Sequence, residues 1–320
     1  MTLSTLIKRG VTQEPIRIVL HGVPGVGKTT FAADIPGAVF VGPEDGAGDL
    51  DISRIVVHTW AELLSVLAAF VSEPSDYRAL VLDTIDWIEK LLHQHITKGA
   101  CSMEAAEKGY GKAYKLAAEE TLKLTQTLDA IRMKRRMAIV ALAHTGIVKF
   151  DDPEDQAYDR YQIRIHKDAA PIWSDWADVV LFANFDIKVR RTGDDVTKGR
   201  GKALDREPPR VLYTSRRPAF DAKNRYKLDH EIPLSWADFS AAIDWSRREA
   251  AWRGTAKPET ADPLVDAAKD AQRRGWTKAD FAALLDSFGV AKLGDVKPEH
   301  RAGVIAKLGA APSTSHQEAK

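Results

Sequence analysis

The first 143 residues alternate between short apolar runs and stretches with helical periodicity. Residues 16–21 (IRIVLH) and 38–42 (AVFVG) predict strands, and 54–58 (RIVVH) predicts a shorter one. Residues 79–83 (ALVLD) and 137–143 (MAIVALA) are apolar with no polar alternation, the pattern of strands buried on both faces. Helices are predicted from Lys28 to Ala33, over 60–71, and over about 85–97 and 113–133. Glu73, Pro74 and Ser75 break the second of them. Strands alternating with helices predict an α/β domain with a mostly parallel sheet flanked by helices.

Beyond that point the pattern changes. Residues 145–166 read as irregular and polar, followed by a short helix over 167–177. Residues 178–191 and 210–215 predict an antiparallel pair that extends the sheet, joined by the polar loop TGDDVTKGRGKALDREPP, and 224–228 continue it. Helix returns near 235–252. Three short helical patterns then follow residue 262. Asp262-Pro263 is an N-cap with Pro at the first helical position, Thr277 with Asp280 is a capping-box pair, and Pro298 opens the last. Gly275, Gly289 and Gly309 close the three. The expected organisation is a core over 1–253, a linker over 254–262, a small C-terminal helical module over 263–309 and a polar, disordered tail over 310–320.

Composition narrows the function classes. The 320 residues carry 46 Lys or Arg against 45 Asp or Glu, a net charge of +1. That excludes a wholesale basic coat for nucleic acid, though not a local basic surface. The single cysteine, Cys101, excludes an intramolecular disulfide framework and a multi-cysteine zinc site. No apolar run approaches the ~18 residues that span a bilayer, so the expectation is a cytoplasmic protein with no membrane partner.

One motif carries chemistry. Residues 22–29, GVPGVGKT, fit G-x-x-x-x-G-K-[ST], with a strand before and a helix after. Gly22, Gly25 and Gly27 let backbone N–H groups turn toward phosphates, and Val26 and Thr30 complete the expected cradle. Lys28 neutralises the β- and γ-phosphates, and the Thr29 hydroxyl holds Mg²⁺. The cofactors expected are therefore ATP and Mg²⁺. Asp83, ending a buried strand, suits a Mg²⁺ ligand acting through water; its other reading is a cap for the helix that follows. Glu44 and Asp45 follow the second strand, where a carboxylate can polarise an attacking water, or simply occupy a solvated turn. His144 ends the last buried run, as a γ-phosphate contact or as a polar strand end.

This order of P-loop, carboxylate after the next strand, Asp-ended strand and polar residue before a long loop resembles the RecA-like recombinase core. In that family the strand after the P-loop helix ends in glutamate, which favours Glu44 over Asp45 as the catalytic carboxylate. His144 falls where the family has a glutamine that senses the γ-phosphate. Lys223-Asn224-Arg225 resembles the Lys-Asn-Lys segment that reaches the ATP of a neighbouring subunit, a charge stabilisation in trans. The set GVPGVGKTT, ALVLDT, GYGKAY, ALAHT and KNRY, spanning roughly residues 14–246, is similar to a phage and prophage group of small RecA-like ATPases associated with single-strand annealing. The fold implied is a RecA-like P-loop NTPase core.

The resemblance implies two loops for single-stranded DNA, at about 98–114 and 145–167. Cations with interleaved aromatics suit a single strand. On that ground Lys112, Arg160, Arg164 and Lys167 are expected DNA contacts, although 151–159 holds five carboxylates and no cation. Residues 188–227 carry 13 Lys or Arg against 5 Asp or Glu, and within them Lys198, Arg200 and Lys202 alternate with Gly, which suits flexible phosphate contact but no particular base. Arg132 to Arg136 form a cluster that complements a helix C-terminus instead. The expected function is an ATP-dependent, single-stranded-DNA-binding recombination protein that self-associates as filament or ring and works with a single-strand-binding or other replication protein. A helicase or helicase-loading ATPase and a non-DNA P-loop switch or kinase are the alternatives.

Overall fold

A computed structural model of the chain describes residues 13–44, 48–98, 102–106, 112–151, 156–186, 189–191, 201–203, 208–254, 263–290 and 292–309. The chain divides into two compact units after Gly254.

The first unit is built on one large sheet. Its strands are β1 (Arg17–Gly22), β2 (Ala38–Gly42), β3 (Ser53–Val56), β4 (Ala79–Leu82), β5 (Ala138–Phe150), β6 (Tyr158–Ile163), β7 (Val179–Phe185), β10 (Arg210–Tyr213), β11 (Lys223–Asn224) and β12 (Glu231–Pro233). A separate pair joins β8 (Val189–Arg191) and β9 (Gly201–Ala203). The order across the main sheet is β12-β10-β7-β1-β5-β4-β2-β3. From β7 to β3 every pairing is parallel, whereas β10, β11 and β12 extend the sheet in antiparallel fashion.

Helices cover both faces, which is why the central strands lack polar alternation. On one face α2 (Trp60–Ser72), α3 (Ile85–Thr97), α5 (Lys112–Arg135) and α6 (Ala170–Trp176) pack on Val19, Leu80, Leu82, Ile139 and Ala141. The short α4 (Met103–Ala106) lies on this side through Met103. On the other face α1 (Lys28–Ala33), α7 (Trp236–Ala242) and α8 (Trp245–Arg253) cover Ile18, Leu20, Val81, Val140 and Leu142. Phe31, Trp236, Phe239, Trp245 and Trp252 interlock there edge to face or tilted. Trp173 is buried and meets Trp176 edge-on.

Three expectations change. Residues 145–166 are not irregular: β5 runs on past the sheet to Phe150 and folds back antiparallel as β6. The β-branched and aromatic residues Ile147, Val148 and Phe150 carry the strand, and the acidic run after it masks the pattern in the sequence. Second, the strand expected over 178–191 ends at Phe185, and its remainder pairs with residues 201–203 of the expected loop. Third, the helix near 235–252 is two helices, divided at Asp244, whose φ is 53°.

The second unit holds α9 (Pro263–Arg273), α10 (Lys278–Asp286), a 3-10 turn (Leu293–Asp295) and α11 (Pro298–Leu308). Thr277 and Asp280 form a reciprocal capping box. Trp276 is buried with Leu264, Leu285, Val296, Val304 and Leu308. Arg274 donates to the carbonyls of Leu308 and Gly309 at 2.7 Å each, completing the C-terminus of α11.

Candidate nucleotide-binding site

Register brings the site together. Gly22, the last residue of β1, lies beside His144 of β5 and Ala183 of β7. One strand further, Leu82 is level with Ala141 and with Val41 of β2. The P-loop, Asp83, Glu44 and His144 therefore all leave the same C-terminal edge of the parallel strands, where α/β sheets bind ligands.

The loop follows the chemistry of its residues. Gly25 and Gly27 have φ of 74° and 104°, a region that side chains rarely adopt. Lys28 is buried and its Nζ donates back to the carbonyls of Gly22 and Val23, at 3.2 and 3.3 Å. Burial pushes the Lys28 pKa down, against the pull of Asp86, Asp83 and Glu44.

Asp83 sits under the loop. Thr29 Oγ1 donates to Asp83 Oδ2 at 3.1 Å. The other oxygen, Oδ1, is buried with no partner among the described residues. Burial, reinforced by the charge of Glu44, pushes the Asp83 carboxyl up to about 6. A hydroxyl beside an acid with an unused oxygen fits the hard-oxygen preference of Mg²⁺. Asp83 is held by close backbone approach: a Cβ on Gly42 would stand 1.9 Å from the Asp83 carbonyl oxygen. The Asp83–Thr84 peptide is cis.

Glu44 is half-buried next to these groups, and its carboxyl is raised by burial, an effect opposed chiefly by His144. His144 is fixed by a residue that the sequence reading missed. Asp86, in the first turn of α3, accepts from the His144 backbone N at 3.0 Å and lies 3.1 Å from its Nδ1. An ionised carboxylate only accepts, so Nδ1 carries a proton and Nε2 is left to face a ligand or water. Burial works against the charge on Asp86, but hydrogen bonds from His144 and Arg164 hold its pKa well below the ordinary carboxylate range. The available signal was a second acid three residues after Asp83 in LDTID, at the start of a helix.

Several of the other expected residues lie elsewhere. Lys223 and Asn224 pair with Val180 and Val179, at the opposite end of β7 from the P-loop. Lys223 Nζ donates to the carbonyls of Ser174 and Asp175, and Arg225 to Asp178. Within one chain they do not join the P-loop. Arg160, expected at DNA, is instead 3% exposed, paired with Asp221 and set 5.2 Å over the Phe150 ring. Arg164 lies on Asp86 at 2.8 Å. Lys112 and Lys167 are exposed. Asp45, Lys198 and Arg200 lie outside the described residues, and Lys202 falls in β9. Val26 is buried under the loop, while Thr30 is exposed at the start of α1.

The family model described as an AAA domain, AAA_24, matches residues 14–226, from before β1 through β11. The chain belongs to the AAA_24 family. By family and by motif it is a P-loop ATPase domain, with the P-loop motif at residues 22–29. A solved structure, described as the crystal structure of the RadB recombinase, matches with 13% identity and a TM-score of 0.39, over 70% of this chain and 90% of the other. No curated protein matches the sequence. Among the described residues no helix is long and apolar enough to cross a membrane.

Proposed function

We propose that this protein is a RecA-like, Mg²⁺-dependent ATPase that binds single-stranded DNA and acts in recombination by annealing or strand exchange. The observation that carries the ATPase part is the Thr29–Asp83 contact beneath the P-loop, with Glu44 and His144 on the same sheet edge. Lys28 leaves its two loop carbonyls for the β- and γ-phosphates. Thr29 and, through water, Asp83 would hold Mg²⁺, which would supply charge neutralisation to the phosphates when bound. Glu44 accepts a proton as water attacks the γ-phosphorus and the bond to the ADP oxygen breaks. Its burial-raised pKa brings it closer to the working pH of a general base. His144 presents Nε2 to the γ-phosphate or its water.

The DNA part rests on local charge. Lys149 and Lys167 are exposed along the β5–β6 hairpin and just after it, directly beyond His144, and Lys112 is exposed at the start of α5. Single-stranded DNA there would lie next to the γ-phosphate sensor. Lys223 and Arg225 complete the ATP site of a neighbouring copy in a filament or ring. A phage-encoded origin, a bacterial cytoplasmic setting and a single-strand-binding or replication protein as partner complete the reading.

The test is ATP hydrolysis and retention on single-stranded DNA with an ATP analogue, ADP or no nucleotide, across salt and protein concentration. Hydrolysis should rise with DNA and with protein concentration, and Lys28→Ala should abolish it. Hydrolysis indifferent to both, with DNA binding that ignores nucleotide and salt, defeats the recombination reading.

A further inference from the structure

Asp86 does no chemistry in the reaction above, yet it is the most heavily bonded carboxylate at the site. It is 2% exposed and accepts from His144 N, His144 Nδ1 and Arg164 Nη2. A buried carboxylate that keeps its charge needs cations or donors placed on it. Arg164 is the cation, and it is an unusual one. Its side chain is 49% exposed, and its charge is felt by both Lys28 and Glu44. Its backbone N donates to His144 O at 2.9 Å, so it stands at the root of the hairpin where β5 leaves the sheet. The guanidinium thus holds Asp86 through Nη2 while the side chain stays half exposed, near enough to Lys28 and Glu44 for its charge to act on both.

The chain after Arg164 is clasped by the same helix. Glu89 lies one turn along α3 from Asp86, on the same face. Its two carboxylate oxygens accept the backbone N–H of His166 at 2.9 and 3.0 Å. The His166 ring stacks on Tyr114 of α5, with centroids 4.0 Å apart and planes 10° apart. Tyr114 in turn donates to Glu104 of α4 at 2.5 Å. Contacts therefore run without a break from Asp86 and Arg164 to α4 and α5.

We infer that Arg164 is a phosphate-sensing arginine in cis: Asp86 holds its guanidinium beside the P-loop, the terminal phosphate of a nucleoside triphosphate competes with Asp86 for it, and the displacement passes through His166 and Tyr114 to α5. The inference rests on the nucleotide site proposed above and assigns to it a residue that the DNA reading had claimed. A terminal phosphate offers arginine a charge-assisted, bidentate partner. A diphosphate ends short of it. That difference in contact is what a switch requires, because a ligand shifts an equilibrium only by its differential affinity for the two states. Asp86 is the positioning residue and Arg164 the phosphate contact.

Binding of a slowly hydrolysed, fluorescent ATP analogue and of fluorescent ADP, both with Mg²⁺, separates the possibilities. Arg164→Ala should weaken the triphosphate about tenfold and leave ADP within about twofold, and Arg164→Lys should recover part of the loss. Asp86→Asn should leave triphosphate affinity unchanged or tighter while kcat falls, because the competitor for Arg164 is weakened and His144 loses its fixed tautomer. In the native protein the triphosphate analogue, and not ADP, should change hydrogen exchange in the peptide containing His166, and Arg164→Ala should lose that response. Equal loss of both nucleotides in Arg164→Ala and Arg164→Lys, or no change in either, overturns the sensor. Lys28→Ala reports on the site itself: if it binds both nucleotides normally, the nucleotide site is misplaced. If it loses both while Arg164→Ala changes neither, the sensor alone fails.

Discussion

His21, the residue before the first glycine of the P-loop, lies 3.1 Å through Nδ1 from the hydroxyl of Thr145, the residue after His144. Its Nε2 is 3.0 Å from the carbonyl of Asp221. A carbonyl only accepts, so Nε2 carries the proton and Nδ1 accepts from Thr145. One fully buried neutral ring thus ties the P-loop strand to the root of the hairpin and to the segment leading to Lys223.

That burial has a pH signature. It pushes the His21 pKa down to about 4, against an ordinary value of 6.5. The unfolded chain takes up the proton first as pH falls, so the stability from His21 is complete above 6.5 and is lost on the way to about 4. The loss is roughly 3 kcal/mol. Glu89 acts in the opposite sense, because burial raises it to about 7, so its contribution is lost as pH rises toward that value. A comparison of native protein with His21→Gln cancels Glu89. Denaturant unfolding at pH 7 and pH 4.5 should show the native advantage shrinking at the lower pH. A difference that stays constant with pH would mean that His21 is not a buried neutral ring.

Gly42 should tolerate no side chain. A Cβ there would come within 1.9 Å of the Asp83 carbonyl oxygen, which belongs to backbone and cannot swing aside. Gly42→Ala should cost about 3 kcal/mol or more, at the upper end of overpacking effects. Gly48 has nothing within 4 Å of the same position, so Gly48→Ala should stay within about 0.5 kcal/mol. Melting temperatures of the pair check this, and equal values would mean that β2 and Asp83 are further apart.

These two sites mark what the sequence could and could not reveal. The parallel core was legible because strands covered on both faces must be apolar throughout, as at Leu80, Val81 and Leu82. The P-loop was legible because its glycines and Lys28 are fixed by spacing within one turn. Asp86 was not, because an acid in a first helical turn is ordinary, and only its distance from His144, 58 residues on, shows its use. Gly42 gave no signal because what approaches it comes from another strand. Residues 145–150 looked irregular because the hairpin leaves the sheet and loses the continuous burial that marks β5 earlier.

Arg160 makes the same point energetically. Its partner Asp221 lies 61 residues away, so in sequence it reads as a cation free for phosphate. In the fold it is buried, and Asp221 is half-exposed. Arg160→Met should lower stability by about 1–2 kcal/mol, mainly through lost packing on Phe150, since Asp221 is half-exposed and keeps Arg216 at 3.6 Å. Its affinity for single-stranded DNA, measured where the variant is folded, should stay within about twofold. Lys149→Ala together with Lys167→Ala should instead weaken binding and flatten its salt dependence. A loss of DNA affinity in Arg160→Met as large as in the double variant would return Arg160 to the interface.

Lys223 and Arg225 pose a question of geometry across copies of the chain. Their own chain holds them on Ser174, Asp175 and Asp178, at the end of β7 opposite the P-loop. They can serve an ATP site only in a neighbour. A protein with Lys223→Ala and Arg225→Ala should therefore be inactive, although its own P-loop is intact, and so should Lys28→Ala. Mixed in equal amounts, the two should regain about one quarter of native hydrolysis, because a random assembly pairs an intact P-loop with intact neighbouring cations at one interface in four. The double variant must also melt close to the native temperature, since Lys223 caps carbonyls in its own chain. An inactive mixture of two folded variants would place the charge stabilisation elsewhere. Full activity in the double variant alone would remove Lys223 and Arg225 from the reaction.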